Sequence, residues 1–278
     1  MTTELTAEDI GAAAVSTAEI SAEHVSKVGA VLDADDDLSA GTELPLLWHW
    51  TFFTPVAPTG SLGQDGHPRL PAQGPTADLP RRMWAGGRVH MQFPLVIGAS
   101  ATRRSQVVSA ERKSGRSGDL LVVKAAHEIS QDGRVAITEE QDLIYRAASG
   151  SPIEAPVGSH RAEAPSGGWN DEVTAGAVTL FRFSAITFNS HRIHYDLPYA
   201  TGEEGYPGLV VHGPLTAILL AESARRRGRR GSSFSFRASA PLFAETPFTL
   251  VGQPDQDAGV SLQAVRNDGA VAMTAELR

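Results

Sequence analysis

Residues 181–215 read FRFSAITFNSHRIHYDLPYATGEEGYPGLVVHGPL. The last histidine of this stretch, His212, is followed by Gly213 and Pro214 and then by the apolar run LTAILLAESARR. Proline is well tolerated in the first turn of a helix, so this pattern predicts a helix that begins near Pro214. Because the run is apolar on most faces, the helix is predicted to be buried. A sheet wrapped around this one central helix accounts for the order of elements on either side.

The same stretch holds the residue types that carbonyl chemistry requires. Histidine exchanges protons near neutral pH, and a helix N-terminus offers unpaired N–H groups to an anion. We therefore predict that His194 is a general base and that the N–H of Gly213 stabilises an oxyanion. Asn189, five residues before His194, is predicted to hold a water molecule or orient the imidazole. On local sequence alone, three simpler interpretations remain open: His194 as a hydrogen-bonded structural residue, Gly213 as a simple turn and Asn189 as a turn cap.

The sequence gives less support to other types of functional site. His191, His194, Asp196 and His212 have the side chains that zinc or iron binds, but no HExxH-like spacing supports a metal site, and none is predicted. The chain contains no G-x-S-x-G, G-x-G-x-x-G or Walker motif. A serine hydrolase, a dinucleotide enzyme and a P-loop enzyme are therefore disfavoured.

The amino-acid composition further limits the classes of protein to which the chain can belong. The chain has 278 residues, 41% hydrophobic residues and a net charge of −8, so we expect a packed fold of one or two domains and no nucleic-acid partner. There are no cysteines, which fits a reducing cytoplasm and excludes disulfides and thiolate ligands. The acidic N-terminus does not resemble a signal peptide, and no apolar run is long enough for a membrane span.

The organisation along the chain predicts a helix over residues 7–33 with Thr6 as its N-cap. Residues 54–80 are rich in proline and glycine and predict a long loop of the kind that forms a lid or binds a ligand. The predicted divisions are an N-terminal helical segment (1–40), a first module (41–150), a linker (151–175) and a second module (176–278).

Two hairpins point to an internal repeat. The strand patterns VVKAAHEIS and VAITEEQDLIY flank Asp132-Gly133, and GVSLQAVR and AVAMTAEL flank Asn267-Asp268-Gly269. Each half also has a Pro-Leu pair earlier, at Pro94 and Pro241. The pattern predicts a divergent duplication with about 110–130 residues per unit, although Asp-Gly hairpins are common enough to coincide.

The motif N-x-H-R-I-H-Y-D, followed by Y-P-G-L-V-V-H-G-P-L, resembles the MaoC-like enoyl-thioester hydratases and dehydratases of the hot-dog superfamily. LPLLWHW, LPRRMWAGG and HEI…EEQDLIYR in the first half are similar to the two-module, hydroxyacyl-thioester dehydratase type 2 group, which includes mesaconyl-C4-CoA and itaconyl-CoA hydratases. The resemblance covers residues 40–278. It implies an α+β double hot-dog fold, with an antiparallel sheet around a long helix in each module.

The resemblance also implies a function and a division of labour. The function is reversible addition of water to an α,β-unsaturated acyl thioester, with catalysis by Asn189, His194 and Gly213 of the second module. The first module lacks the motif and resembles a degenerate partner that shapes the acyl pocket. In the general MaoC motif, Asp stands where Asn189 is and Asn where His191 is, which places more of the proton transfer on His194.

The remaining expectations concern the substrate and its surroundings. Residues expected to contact the substrate are His191, Arg192, Tyr195, Asp196, His212, Pro214, Arg81, Arg82 and Arg237; Arg225 and Arg226 are further candidates for phosphates or a carboxylate. No cofactor is expected, because coenzyme A belongs to the substrate, and an acyl carrier protein is the alternative carrier. We expect a cytoplasmic homodimer or larger homo-oligomer.

Three alternative functions remain open. They are a (3R)-hydroxyacyl-carrier-protein dehydratase of fatty-acid or polyketide synthesis, a hot-dog acyl-CoA thioesterase, for which Asp196 or Glu222 would be the base, and a non-catalytic binding module.

Overall fold

A single antiparallel sheet of 11 strands runs through the described part of the chain. The computed structural model describes residues 2–4, 13–34, 36–69, 76, 78–115, 118–147, 152–256 and 258–278. The strands are β1 (Thr2–Glu4), β2 (Ala14–Glu19), β3 (Arg81–Met91), β4 (Ser100–Gly115), β5 (Gly118–Gln131), β6 (Arg134–Arg146), β7 (Trp169–Val173), β8 (Ser233–Ala238), β9 (Phe248–Pro254), β10 (Val260–Arg266) and β11 (Val271–Leu277). The helices are α1 (Ala22–Leu32), α2 (Ala177–Ile186), α3 (Leu197–Gly202) and α4 (Gly213–Arg225), with short 3₁₀ turns at Trp48–Thr51, Thr59–Ser61 and Arg192–His194.

The strand order repeats in the two halves. The first half is ordered β2-β4-β5-β6-β3, with β1 also paired to β4, and the second is ordered β7-β9-β10-β11-β8. The halves join where β3 pairs with β8. Strand β2 and the following helix α1 thus correspond to strand β7 and helix α2, and the hairpin β5–β6 corresponds to the hairpin β10–β11. The turns at Asp132-Gly133 and at 267–270 connect β5 to β6 and β10 to β11, as predicted. This common order supports the predicted duplication.

Matching backbone contacts support it in detail. The N–H of Leu44 donates to the carbonyl of Leu95 at 2.7 Å, and the N–H of Val211 donates to that of Leu242 at 2.8 Å. In the second module the next residues are His212 and Gly213, which begin α4. In the first they are Pro45 and Leu46, which lead into only a 3₁₀ turn at Trp48–Thr51. The first half therefore lacks both the histidine and the long helix at this place.

Helix α4 is the central helix of the second module, and it begins at Gly213 as the His-Gly-Pro pattern predicts. Leu215, Ile218 and Leu220 on this helix are fully buried, and the helix packs against β9, β10 and β11. Removing nonpolar surface from water lowers the free energy of the folded state, so the burial of this helix stabilises the module. The first module also contacts it, since the indole N–H of Trp48 donates to Glu222 at 3.0 Å.

The long N-terminal helix predicted over residues 7–33 is wrong for residues 14–19, which form strand β2. The side chains of β2 are mostly exposed, so its alanine-rich sequence does not show the alternation of apolar and polar residues that indicates a strand. The conformation of β2 is determined instead by its pairing with β4. Helix α1 begins only at Ala22, where Ser21 is its N-cap. The predicted cap at Thr6 lies outside the described residues.

Three elements lie close to the predicted module boundaries. Strand β2 and helix α1 precede residue 41 yet join the sheet and core of the first module, and α1 supplies that module's helix. Strand β7 falls inside the predicted linker but pairs with β9, so the irregular connection ends at residue 168. The four-part division as a whole remains a prediction. Among the described residues, no helix combines the length and hydropathy needed to cross a membrane.

Candidate active site

His194 lies at the end of a 3₁₀ turn and is nearly buried, with 6% of its surface exposed. Its Nδ1 atom is 2.7 Å from the carbonyl oxygen of Val210, in the segment that leads to α4. A carbonyl oxygen only accepts hydrogen bonds, so Nδ1 carries the hydrogen and donates it. The other ring nitrogen, Nε2, is then left with its lone pair free to accept a proton.

Burial keeps this imidazole neutral. It lowers the pKa of His194 to about 4; the hydrogen bond to Val210 opposes this shift, and the nearby His67 adds to it. Burial also lowers the pKa of His191, with His67 and His194 contributing, and holds that of His212 well below its usual value. A positive charge on any of these rings is unfavourable, so the cluster is neutral near pH 7.

Four imidazoles stand in a row. The ring centroids of His67 and His191 are 4.1 Å apart, those of His191 and His194 are 5.3 Å apart, and those of His194 and His212 are 3.6 Å apart. His212 is fully buried, and its Nε2 lies 2.9 Å from the hydroxyl of Ser184. It therefore packs against His194 and is held by Ser184, and its predicted contact with a substrate stays a prediction.

The stacking of His194 on His212 brings the base to the first turn of α4, because Gly213 is the next residue. A residue at this position has no intrahelical acceptor for its N–H, so the N–H of Gly213 is available to an anion. A Cβ added to Gly213 would come within 2.9 Å of the Trp84 ring. The absent side chain therefore lets Trp84, from β3 of the first module, pack over the helix start.

Trp84 belongs to an aromatic cluster contributed by both modules. Its ring stacks on Phe236 of β8 at 4.1 Å and meets the edge of Trp50 at 5.2 Å. The indole of Trp50 donates to Glu139 at 2.7 Å, and Gln141 donates to the same carboxylate. This cluster fixes the apolar wall beside Gly213. Trp50 and Trp84 lie in the first-half motifs LPLLWHW and LPRRMWAGG, but those motifs alone do not indicate a place at the site.

Asn189 acts locally as a turn cap. Its Oδ1 accepts the backbone N–H of His191 at 2.9 Å, which was the simpler of the two interpretations offered by the sequence. Oδ1 retains a second lone pair and the amide nitrogen retains its hydrogens, so a water contact remains geometrically open. Whether Asn189 also holds a water molecule stays a prediction.

Arg192, Tyr195 and Asp196 are mainly occupied by contacts with one another and with the backbone. Arg192 donates to Asp196 at 2.7 Å, and Asp196 also caps α3 by accepting the N–H of Tyr199 at 3.1 Å. The hydroxyl of Tyr195 donates to the carbonyl of Ser190 at 3.1 Å. These side chains therefore organise the turn that carries His194.

The first-module loop, residues 63–67, docks onto that turn. The N–H of Arg192 donates to the carbonyl of Asp65 at 2.9 Å, and the hydroxyl of Ser190 donates to that of Gly66 at 2.5 Å. Gly66 has a φ of +89°, and a Cβ there would overlap the Ser190 carbonyl. The predicted long loop therefore contributes to the site, and it brings Asp65 and His67 with it.

Sequence reasoning missed Asp65 and His67. The backbone N–H and Nδ1 of His67 each lie 3.0 Å from an oxygen of Asp65, so the carboxylate holds both the turn and the ring. The available signal was Asp-Gly-His inside a loop already predicted to bind a ligand. Nothing in that local pattern indicates which part of the chain the loop contacts.

The arginines predicted to bind the substrate differ in how far their charge is already neutralised by contacts within the protein. Arg81 is paired with Glu204 at 3.0 Å and also donates to its backbone carbonyl, and Arg225 is paired with Glu222 and Asp36. These charges are neutralised within the protein, which disfavours them as phosphate ligands. Arg82 lies near the imidazole row, where its charge contributes to the lowered pKa values of His67 and His191. Arg226 donates to the carbonyl of Leu32, and Arg237 is exposed on β8.

The four residues considered for a metal from sequence do not form a joint ligand set here. His212 bonds to Ser184, and Asp196 bonds to Arg192. A different group, Asp65, His67 and His191, brings its ligand atoms within 4.8 Å of one another. The Asp65 oxygens, however, are engaged by His67, and the positive charge of Arg82 opposes a cation nearby.

The sequence matches known proteins over most of its length. Residues 47–244 match the family model for hydroxyacyl-thioester dehydratase type 2. The chain is 47% identical over 242 residues to a mesaconyl-C(4)-CoA hydratase of Chloroflexus aurantiacus, covering 85% of this chain and 84% of that protein.

Solved structures support the fold. A MaoC-like dehydratase from Phytophthora capsici superposes with a TM-score of 0.71 at 16% identity, covering 98% of this chain and 97% of its own. A Mycobacterium tuberculosis protein described as a double hot-dog superposes with a TM-score of 0.56 at 13% identity, covering 97% and 96%. The predicted double hot-dog is thereby confirmed.

The docking of the first-module loop can be tested with Gly66→Ala. The added Cβ overlaps the Ser190 carbonyl and strains a positive φ, so we expect the loop to detach. The amide of Arg192 should then exchange with deuterium faster, because its acceptor is Asp65. Gly60→Ala is the matched control, since its Cβ would meet nothing within 4 Å. Equal protection of Arg192 in both variants would contradict the docking.

The neutrality of His194 can be tested by NMR. Its side chain should titrate with a midpoint near 4, below its ordinary 6.5, because burial disfavours the charged ring. Between these values the unfolded chain binds more protons than the folded one, so the free energy of unfolding falls as the pH drops from 6.5 towards 4. His194→Gln should weaken that pH dependence. A midpoint near 6.5 would contradict the burial argument.

Proposed function

Because the chain belongs to the hydroxyacyl-thioester dehydratase type 2 family and is an enoyl-thioester hydro-lyase, we propose that it hydrates a branched C5-dicarboxyl thioester of coenzyme A. The observation that carries the proposal is the free Nε2 of His194 beside the first turn of α4. Base and oxyanion donor at one point are what addition of water to an activated double bond requires. The 47% identity to a protein named mesaconyl-C(4)-CoA hydratase supports this acyl group, and itaconyl-CoA is the alternative.

The proposed reaction begins when His194 removes a proton from water through Nε2. The water oxygen attacks the β-carbon, and the electron pair of the double bond moves towards the thioester. The N–H of Gly213, at the positive end of α4, stabilises the enolate oxygen that results. Transfer of the proton from His194 to the α-carbon completes the addition, and dehydration follows the same steps in reverse.

The contributions of the neighbouring residues follow from their contacts. Asn189 fixes the turn before His194 and is proposed to orient the water through its amide group. Pro214 sets the start of α4 next to Gly213, and Trp84 is proposed to line the slot for the acyl chain. Arg82, whose charge lies close to His67 and His191, is the arginine best placed to meet a substrate carboxylate.

A thioesterase is less well supported. Such an enzyme would need a carboxylate or similar base at the thioester carbon, and the sequence offered Asp196 and Glu222. Asp196 is bonded to Arg192 and to the start of α3, while Glu222 is buried against Trp48 and Arg225. Neither carboxylate is free for hydrolysis, and a non-catalytic module would have no need for a desolvated base.

We propose that the carrier is coenzyme A, that no cofactor is required, and that the protein acts in the cytoplasm as a homodimer or larger homo-oligomer. A carrier-protein thioester of fatty-acid or polyketide synthesis is the alternative substrate. The composition, acidic and free of cysteine, is compatible with this location and with a small-molecule partner.

The role of His194 can be tested by substitution. His194→Ala should lower kcat by roughly 10²- to 10⁴-fold, because general acid–base help contributes about that factor. The decay of the enoyl-thioester absorbance gives the rate, and circular dichroism checks the fold. His160→Ala, at an exposed histidine, is the control and should retain full activity. Near-normal hydration of enoyl-CoA substrates by the His194 variant would contradict the mechanism.

The acyl group can be tested with a substrate panel. The wild type should hydrate mesaconyl-C4-CoA with a higher kcat/KM than crotonyl-CoA, because only the former carries a free carboxylate on its acyl group. Arg82→Gln should reduce this preference mainly through the dicarboxyl substrate, and Arg88→Gln, at an exposed arginine on the same strand, is the control. Equal kcat/KM on the two thioesters would count against a dicarboxylate site.

A further inference from the structure

Asp65 and His67 form a catalytic-type pair that the family motif does not contain. The Nδ1 hydrogen of His67 is donated to Asp65 at 3.0 Å, because an ionised carboxylate only accepts. Nε2 of His67 is therefore the nitrogen with the free lone pair, and it has no hydrogen-bond partner among the described residues. This is the same arrangement that Val210 imposes on His194.

The pair is rigidly attached to the second module. Three hydrogen bonds join the first-module loop to the turn before His194: Arg192 N–H to Asp65 at 2.9 Å, the Arg192 guanidinium to Gln64 at 3.0 Å, and the Ser190 hydroxyl to Gly66 at 2.5 Å. His67 packs on His191, whose ring in turn meets His194 edge-on. The loop therefore brings a second neutral base to the site from the other module.

The reacting water needs two acceptors. A water molecule that adds to the β-carbon carries two hydrogens, and His194 accepts only one of them. Oδ1 of Asn189 already accepts the His191 N–H, and the general MaoC motif has an acidic residue at this position, which Asn189 does not replace as a base. Within residues 189–194, Asn189 therefore has only one lone pair of Oδ1 left for the water. The ring of His67, which packs on His191 and acts electrostatically on His194, brings a further acceptor to the same cluster.

We propose that His67, oriented by Asp65, is a second catalytic residue that accepts a hydrogen bond from the attacking water and from the β-hydroxyl group it becomes. The proposal rests on the hydratase function proposed above. One water proton goes to Nε2 of His194 as the oxygen–carbon bond forms, and the other stays on oxygen, bonded to Nε2 of His67. His194 then gives its proton to the α-carbon, so both rings end neutral and no other reactant is consumed.

A divalent metal at Asp65, His67 and His191 is the competing use of the same atoms. A metal bound through Nδ1 of His67 would displace the hydrogen bond from that atom to Asp65, and a metal at any of these residues would lie in the field of the Arg82 charge. The observed contacts orient an imidazole and leave one nitrogen open, which is the arrangement of a base. The experiment below separates the two uses.

The test compares full-length wild type with His67→Ala and Asp65→Asn in hydration of mesaconyl-C4-CoA, with and without added imidazole. Loss of a hydrogen bond made to the reacting water should lower kcat of His67→Ala by roughly 10- to 100-fold while KM changes less than kcat. Added imidazole should restore part of that kcat, since it fills the vacated space with the same acceptor. Asp65→Asn should lose less, and imidazole should not restore it. His160→Ala, at an exposed histidine, should respond to neither change.

The outcomes are distinct. A kcat of His67→Ala near that of wild type, or a loss confined to KM and insensitive to imidazole, would overturn the role of His67. Inactivation of the wild type by a chelator, reversed by zinc or iron, would overturn it in favour of a metal. A wild type that hydrates no enoyl-CoA would overturn the hydratase proposal and this inference with it. An active wild type with an unaffected His67 variant would overturn the inference alone.

Discussion

The hydrogen bond from Nδ1 of His194 to the carbonyl of Val210 is the interaction on which the site depends. It fixes the tautomer, so that the lone pair of Nε2 is available, and it joins the histidine turn to the strand-like segment that leads into α4. The stack on His212 then places the base within one residue of the helix start. Removing either contact would separate proton transfer from oxyanion stabilisation, and hydration needs both at one thioester.

The duplication explains how a polar site is built inside an apolar core. Five strands of each half follow the same order, β1 is a sixth strand of the first half, and the halves join where β3 pairs with β8. The second half keeps the long helix and the histidines. The first half, which has only a 3₁₀ turn where α4 would be, contributes Trp84 over Gly213 and the first-module loop over the histidine turn. The first half therefore supplies walls of the site whose helix and base come from the second half.

Much of this could be predicted from sequence because it is local. Residues 189–215 lie close together along the chain, so the turn, the helix start and the buried histidine follow from short-range chemistry, as do both hairpins. Strand β2 could not be predicted in this way, since its side chains are largely exposed and its pairing partner lies far along the chain. Asp65 and His67 were missed for a similar reason. The hydrogen bond that holds their loop at the site joins Ser190 to Gly66, which are 124 residues apart in sequence, and no periodicity in the sequence indicates a contact over that range.

A crystal structure with a saturated, unreactive acyl-CoA bound would test the central claim most directly. The account predicts the thioester oxygen within hydrogen-bonding distance, about 3 Å, of the Gly213 N–H, and the β-carbon facing Nε2 of His194. An acyl chain bound elsewhere, with the thioester remote from Gly213 and His194, would contradict it.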